Sequence, residues 1–432
     1  MIKQLIFSLT VLIAASVFFY SVRNIWLNIK LLKPAYPLDR WNQRLGLLLN
    51  VGFGQTKILR FPLIGFLHAL VFWGFLAILF GSAEMLIDGL FGLEKSLSIL
   101  GIAHKALMFS GDLFAFIILI LILVFLSRRM LMHVKRFEGI EMTHKTHKDA
   151  TFALTLILLL MVSLLGMNMG YVANHTSHAS IYPVSSLFVS IFWIDSPEFS
   201  HVFEQINWWA HILLIFFFAN YLPYSKHFHV FMSLPNVLLS KLEPLTQMSN
   251  MDRVTQEVKL MLDPSAEIPS SHPNQIERFG MKDVEDGTWK HYIDSLTCTQ
   301  CGRCTSVCPA NLTGKMLSPR KLLIDYRARM NEKMPHLKAD ANFNDQKSLL
   351  DDYISREEIW ACTTCNACAQ ECPVNIDHPS IILELRRYIF MEESKAPSLL
   401  NAMSTNIENN GAPWQYPPSD RMKWADQLYI NE

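Results

Sequence analysis

The sequence predicts an all-α protein: a bundle of five membrane-crossing helices followed by a soluble α-helical domain. Three observations predict it. Hydrophobic residues make up 51% of the 432 residues and charged ones 18%, an oily balance for a water-soluble chain of this size. The polar residues are unevenly spread, with long apolar runs filling the first half and ordinary polar sequence from about residue 240 onward. All eight cysteines lie in that polar half, in two short runs.

The stretches 5–27, 61–85, 107–126 and 150–172 are predominantly apolar, and each reaches the roughly 20 residues that a bilayer crossing needs. A fifth, 206–224, carries His211, Asn220 and Pro223. The first stretch exceeds the apolar core of roughly 7–15 residues in a cleaved signal peptide, and no small-x-small cleavage pattern follows it. It therefore reads as a span.

Lys and Arg in the connections set the expected orientation. Lys30, Lys33, Arg40, Arg44, Lys57 and Arg60 follow span one, and Arg128, Arg129, Lys135, Arg136, Lys145 and Lys148 follow span three. The loop after span two has little beyond Lys95 and Lys105, and 174–205 has neither residue type. This alternation puts the N-terminus outside a bacterial-type cytoplasmic membrane and the polar C-terminal part in the cytoplasm. With 38 basic and 38 acidic residues, no positive excess exists to neutralise phosphates, so nucleic acid is not an expected partner. The lipid bilayer is.

In a reducing cytoplasm, clustered cysteines point to metal rather than disulfides. The runs are Cys298, Cys301, Cys304, Cys308 before Pro309, and Cys362, Cys365, Cys368, Cys372 before Pro373. CxxCxxC lets one tight loop wrap three corners of a cubane, and a fourth thiolate follows on the next turn. In two-cluster ferredoxins that fourth cysteine binds the other cluster. The expected sets are therefore Cys298, Cys301, Cys304 and Cys372 for one [4Fe–4S] cluster, and Cys362, Cys365, Cys368 and Cys308 for the other. Zinc ribbons pair two separated CxxC knuckles instead. A c-type haem needs CxxCH, but Gly302 and Asn366 follow Cys301 and Cys365. The 53 residues between the runs contain helix-like segments at 319–330 and 345–359, with another at 378–391.

Ionisable residues inside a membrane are costly and are read as functional by default. His68 lies about two turns into span two. His211 and His229 are 18 residues apart, which on one helix returns to the same face some 27 Å further on. Such a pair suits axial ligands of two stacked b-type haems in a core ~30 Å thick. Depth pairs His68 with His229 on the cytoplasmic side, with His227 as a neighbouring rival on another face. On the outer side His211 pairs with His104, which is open equally to a role at quinone. His133, His144, His147, His175, His178 and His201 are expected at the surface.

At these residues the region 1–240 resembles the γ subunit of respiratory nitrate reductase, a five-span dihaem cytochrome b. The likeness is carried by Ala210-His211, by Tyr221-Leu-Pro-Tyr-Ser-Lys-His-Phe-His229, by Ser233-Leu-Pro235 and by Lys105-Ala-Leu-Met-Phe-Ser-Gly111. That family has two histidines ten residues apart in span two, whereas Ile78 stands ten after His68. The spacing of the cysteine runs resembles the α-helical ferredoxin domain of heterodisulfide reductase and succinate dehydrogenase subunits. The fusion is similar to membrane-bound heterodisulfide-reductase-like enzymes and electron-transferring-flavoprotein:quinone oxidoreductases.

The resemblance implies a cytochrome b bundle at 1–235, a linker at 236–285, a cytoplasmic ferredoxin-type domain at 286–395 and a tail at 396–432. It implies two [4Fe–4S] clusters, one or two haems b, and menaquinone or another quinone near His104, Lys105 and His211. The chain carries no Cys-Cys pair and no GxGxxG or GxxxxGK fingerprint. The catalytic centre is therefore expected on a CCG-domain or flavoprotein subunit on the cytoplasmic side. The competing expectation is a membrane-anchored iron–sulfur redox sensor or zinc scaffold without haem or turnover.

Overall fold

A computed structural model describes residues 2–192, 196–263, 265, 278–426 and 428. Part of the expected linker (264 and 266–277) and of the tail (427 and 429–432) lies outside these residues. Among the described residues there is no β-strand, only isolated bridges at Lys33–Thr288 and Leu350–Ile354.

The five expected spans are five helices, because a backbone in hydrocarbon must satisfy its own polar groups. They are α1 Ile2–Leu31, α2 Pro62–Phe91, α3 Ile102–Leu131, α4 His144–Asn174 and, after the short helix α5 Pro183–Phe192, α6 Pro197–Tyr221. Each is longer than its apolar run, since caps rather than hydropathy set the ends. Thr143 accepts from the Thr146 N–H to start α4, and Ser196 accepts from Phe199 with Pro197 in the first turn of α6.

The helix α4 is central, with 56% of its apolar window buried against 11% for α1. Gly166 and Gly170 let α6 approach it closely: a Cβ on Gly166 would come 2.5 Å from Asn207 Oδ1, and one on Gly170 2.7 Å from Glu204 Cβ. Asp112 of α3 is 1% exposed and fully engaged. Its carboxylate accepts from Asn168 Nδ2 at 3.1 Å, Ser185 Oγ at 2.5 Å, and the N–H groups of Val184 and Ser185 at 2.8 and 3.1 Å. It caps α5 from a neighbouring helix, so its role is packing.

Span five does not continue to His229. The chain leaves α6 at Tyr221, makes two 3₁₀ turns at Leu222–Tyr224 and Lys226–Phe228, and starts α7 at His229–Leu238. Pro223 has no N–H to give the helix, and Ser225 caps the second turn through the His227 N–H. The 18-residue same-face argument therefore does not apply across this break.

The cysteine-bearing part is built on α8 Trp289–Thr297, α9 Pro319–Ala339 and α10 His378–Arg387. The expected helix at 345–359 is instead a kinked turn, with Asp351 at φ 76°, followed by the capped helix Arg356–Ala361. Its backbone is drawn away to other partners: Leu349 N–H donates to Asp283 Oδ1 and Leu350 N–H to the Lys282 carbonyl.

One apolar core joins both halves: Leu32, Leu222 and Phe228 from the bundle pack with Tyr292, Leu296 and Tyr326. Arginines fasten the seam. Arg320 Nε donates to Glu141 Oε1 at 2.7 Å, and its Nη atoms donate to the Arg136 and Glu138 carbonyls at 2.6 and 2.5 Å. Arg327 donates to the Pro223 and Ser225 carbonyls at 3.0 and 3.1 Å. Because the Arg320 and Glu141 side chains are 1% and 3% exposed, removing one partner leaves a buried charge unpaired. Arg320→Met is expected to destabilise the protein by about 3–5 kcal/mol. Adding Glu141→Gln should recover part of that loss in thermal unfolding of the detergent-solubilised protein.

Candidate functional site

The two cysteine runs share one backbone plan. Each first cysteine ends a helix, Cys298 after α8 and Cys362 after Arg356–Ala361. Two residues later the backbone is left-handed, at Gln300 (φ 59°) and Thr364 (φ 53°), and again at Gly302 (φ 77°) and Asn366 (φ 59°). A short turn of helix then carries Cys304 or Cys368. Left-handed residues at alternate positions make a tight backbone loop, whose N–H groups suit sulfur-bound anionic charge. Thr364 N–H donates to Cys362 Sγ at 3.3 Å. Gly302 cannot be replaced by a second asparagine, because a Cβ there would come 2.3 Å from the Arg136 carbonyl.

The runs interleave. Cys372 of the second run lines the same small cavity as Cys298, Cys301 and Cys304. Cys308 of the first run lies near enough to raise the thiols of Cys362 and Cys368. Burial pushes the Cys298 thiol up to about 11, against the Gln300 N–H, and that of Cys372 up to about 12, against those of Ile376 and Val374. Thiols held so high bind as thiolates only beside a strong cationic charge, which iron provides. Among the described residues no three His, Cys, Asp or Glu side chains converge as ligands of a single ion.

The Cys298 set faces the bundle and the Cys365 side faces solvent, with Cys365 exposed. Arg303, a residue that sequence reading passed over, closes the bundle side. Its guanidinium donates to the Lys57 and Ile58 carbonyls at 3.0 and 3.4 Å and stacks 4.4 Å over the Phe61 ring. Lys57 Nζ returns a bond of 3.3 Å to the Cys372 carbonyl, and Arg60 one of 3.0 Å to that of Gln370. The only signal in sequence was a cation inside a cysteine loop.

Behind Arg303 lie His68, His227 and His229. Burial, then the neighbouring His227 and His68, hold His229 down at about 3. His227 stands 5.9 Å from it between ring centroids and has its Nδ1 3.3 Å from Ser225 Oγ. His68 and His229 each have a buried Nδ1 with no partner. His211 is also buried, with Nδ1 3.0 Å from both the Leu160 carbonyl and Ser163 Oγ, while its Nε2 has no partner. The His211 ring, held by one nitrogen with the other free, has the arrangement of a metal-ligating histidine. The buried imidazoles of His68 and His229, each with an unpartnered nitrogen, would also fit as ligands of a haem iron.

His104 and His211 are not brought together. Asp112 and Asn168 fix one level of the bundle. His104 lies eight residues toward the far end from Asp112, whereas Leu160 and Ser163 lie five to eight residues the other way from Asn168. The two imidazoles thus differ in depth by roughly 20 Å at 1.5 Å per residue. His104 Nε2 is 2.9 Å from Glu84 Oε1, and Lys105 is exposed. Asp88 went unread because the span was ended at Met85, and Glu84 was passed over inside it; carboxylates inside an apolar helix were the available signal.

Residues 290–373 match the 4Fe-4S dicluster domain. Over 455 residues the chain is 29% identical to the probable iron-sulfur-binding oxidoreductase FadF of Bacillus subtilis, covering 98% of this chain and 61% of that protein. It is 27% identical over 458 residues to the EtfAB:quinone oxidoreductase of Syntrophomonas wolfei, covering 98% and 59%. A stretch of 106 residues is 35% identical to a component of the ferredoxin/F(420)H(2)-dependent CoB-CoM heterodisulfide reductase of Methanosarcina acetivorans, covering 24% of this chain and 52% of that component. The chain thus spans about three fifths of the first two relatives. No solved structure matches it. Residues 290–373 are thus similar to a 4Fe-4S dicluster domain, and nearly the whole chain is similar in sequence to an iron–sulfur-binding and a quinone oxidoreductase.

Proposed function

We propose that this chain relays electrons through a membrane, between a cytoplasmic redox partner and the menaquinone or other quinone pool. Cys298, Cys301, Cys304 and Cys372 would hold one [4Fe–4S] cluster and Cys362, Cys365, Cys368 and Cys308 the other. His68 and His229 would hold one haem b, and His211 would serve a second. The observation that carries this reading is the pair of unpartnered histidine nitrogens behind the Cys298 pocket, on the bundle side of Arg303. When bound, these groups supply the one-electron transfer that the side chains themselves do not.

The protein's own part is to hold and bias. The left-handed residues aim N–H groups at the sulfurs, and Arg303 places a fixed cation between the cysteines and His68. Leu160 and Ser163 orient the His211 ring. The basic connections after α1 and α3 lie against the cysteine domain through Lys57, Arg60 and Arg136, which supports a cytoplasmic place for that domain. The exposed Cys365 side is the face open to a flavoprotein or CCG-domain partner. An electron-transferring-flavoprotein:quinone oxidoreductase or heterodisulfide-reductase-like complex is the setting we infer from the homologues.

Haem stoichiometry with EPR on the purified full chain tests the reading. His68→Ala and His229→Ala are each expected to remove the same haem, and His211→Ala a different one. His104→Ala should leave the ratio unchanged; a fall from two haems to one would instead put His104 on the second. A wild-type protein with no haem spectrum would sink the relay.

For the clusters, Cys372→Ser and Cys308→Ser are each expected to change the EPR signal of the set across the run boundary. Iron content should stay above half of the eight-iron value in both. Loss confined to the mutated residue's own run would reverse the interleaved assignment.

A further inference from the structure

At the end of the bundle away from the cysteines lies a cavity of about 580 Å³. Its inner walls are apolar, from Phe7, Ile78, Met85, Met108, Leu164 and Trp208. Its mouth is polar and assembled with some strain. Lys95 stands there in left-handed backbone (φ 52°), a conformation a non-glycine residue adopts only when it is held. Asp88 holds it, accepting from the Lys95 and Ser96 N–H groups at 2.9 and 3.0 Å, and Glu84 accepts from Leu97 N–H at 3.0 Å.

The ammonium so placed donates to Tyr182 Oη at 2.8 Å and lies 4.8 Å over the Tyr171 ring. Glu84 Oε2 stands 3.9 Å from the same ammonium. The cavity therefore offers a cationic donor, a phenol and a carboxylate at one end, and apolar walls at the other. Its volume is that of a small-molecule site.

We propose that this cavity is the quinone site, with a ring oxygen of the quinone or hydroquinone received by Lys95 and Tyr182. The ring and tail lie between α1, α2 and α3. This rests on the quinone-linked reading above and moves the site from Lys105, which is exposed, to Lys95.

The test uses the purified full chain in lipid nanodiscs, with fluorescence quenching of the quinone-site probe 2-heptyl-4-hydroxyquinoline N-oxide as the readout. Lys95→Met is expected to weaken probe binding at least tenfold. Gly81→Leu should do the same by filling the cavity, since an added Cβ there meets only Met108 Cε, at 3.8 Å. If Lys95→Met fails to fold, Gly81→Leu decides alone. Wild-type binding left unchanged in Gly81→Leu would place quinone elsewhere and overturn this inference alone. A loss of haem in Gly81→Leu with probe affinity intact would give the cavity to haem and also overturn it. A wild-type protein that binds no probe would remove the quinone-linked reading itself.

Discussion

The arrangement depends on how the cysteine domain is seated against the near end of the helix bundle. Arg320 sends all its donors across the seam, to Glu141 and to two carbonyls of the connection between α3 and α4. Arg303 and Arg327 do the same to the segments entering α2 and leaving α6. Guanidinium suits this task because its planar fork satisfies several buried carbonyls at once without losing its charge. Around these bonds a single apolar core removes water, so the bonds act in a low dielectric and hold firmly. Two halves that look separable by composition behave as one body. Cofactors held on both sides, as proposed, would keep a fixed separation only under that condition.

Within the bundle the same economy applies to backbone irregularity. Hydrocarbon tolerates non-helical chain only where it is buried in protein, and the break at Pro223 sits just there, roofed by Arg327 and Phe228. The break takes His229 out of α6 and into the first turn of α7, within electrostatic reach of His68. The central helix α4 takes the opposite course. It stays unbroken and gives up side-chain volume at Gly166 and Gly170 so that α6 can lie close.

Local features were legible in the sequence and long-range ones were not. Five spans follow from patterns a few residues wide, and both cysteine runs take up the same left-handed geometry. His68, His211 and His229 stood out because a lone imidazole in apolar sequence is costly. The pairing of His211 with His104 did not carry over, because depth was counted from the ends of apolar runs. The helices extend beyond those runs, and Glu84 claims His104. Arg303 and Arg320 read as ordinary charges; their partners lie more than 170 positions away in the chain. Lys95 counted only as one loop cation, since nothing local announces that two carboxylates fold it inward.

The unequal exposure of the two cysteine groups has a chemical cost that falls on one side only. Exposed iron–sulfur centres are those that solvent species reach first, and reactive thiolates follow the same rule. Iron held at Cys365, open to water, would meet dissolved oxygen and peroxide well before iron sealed behind Arg303 and Phe61. Damage would then begin at the solvent face and stop short of the helix bundle. Aerated protein would lose iron on the Cys365 side first while its helix bundle stayed intact, and a repair system would need access to the solvent face alone.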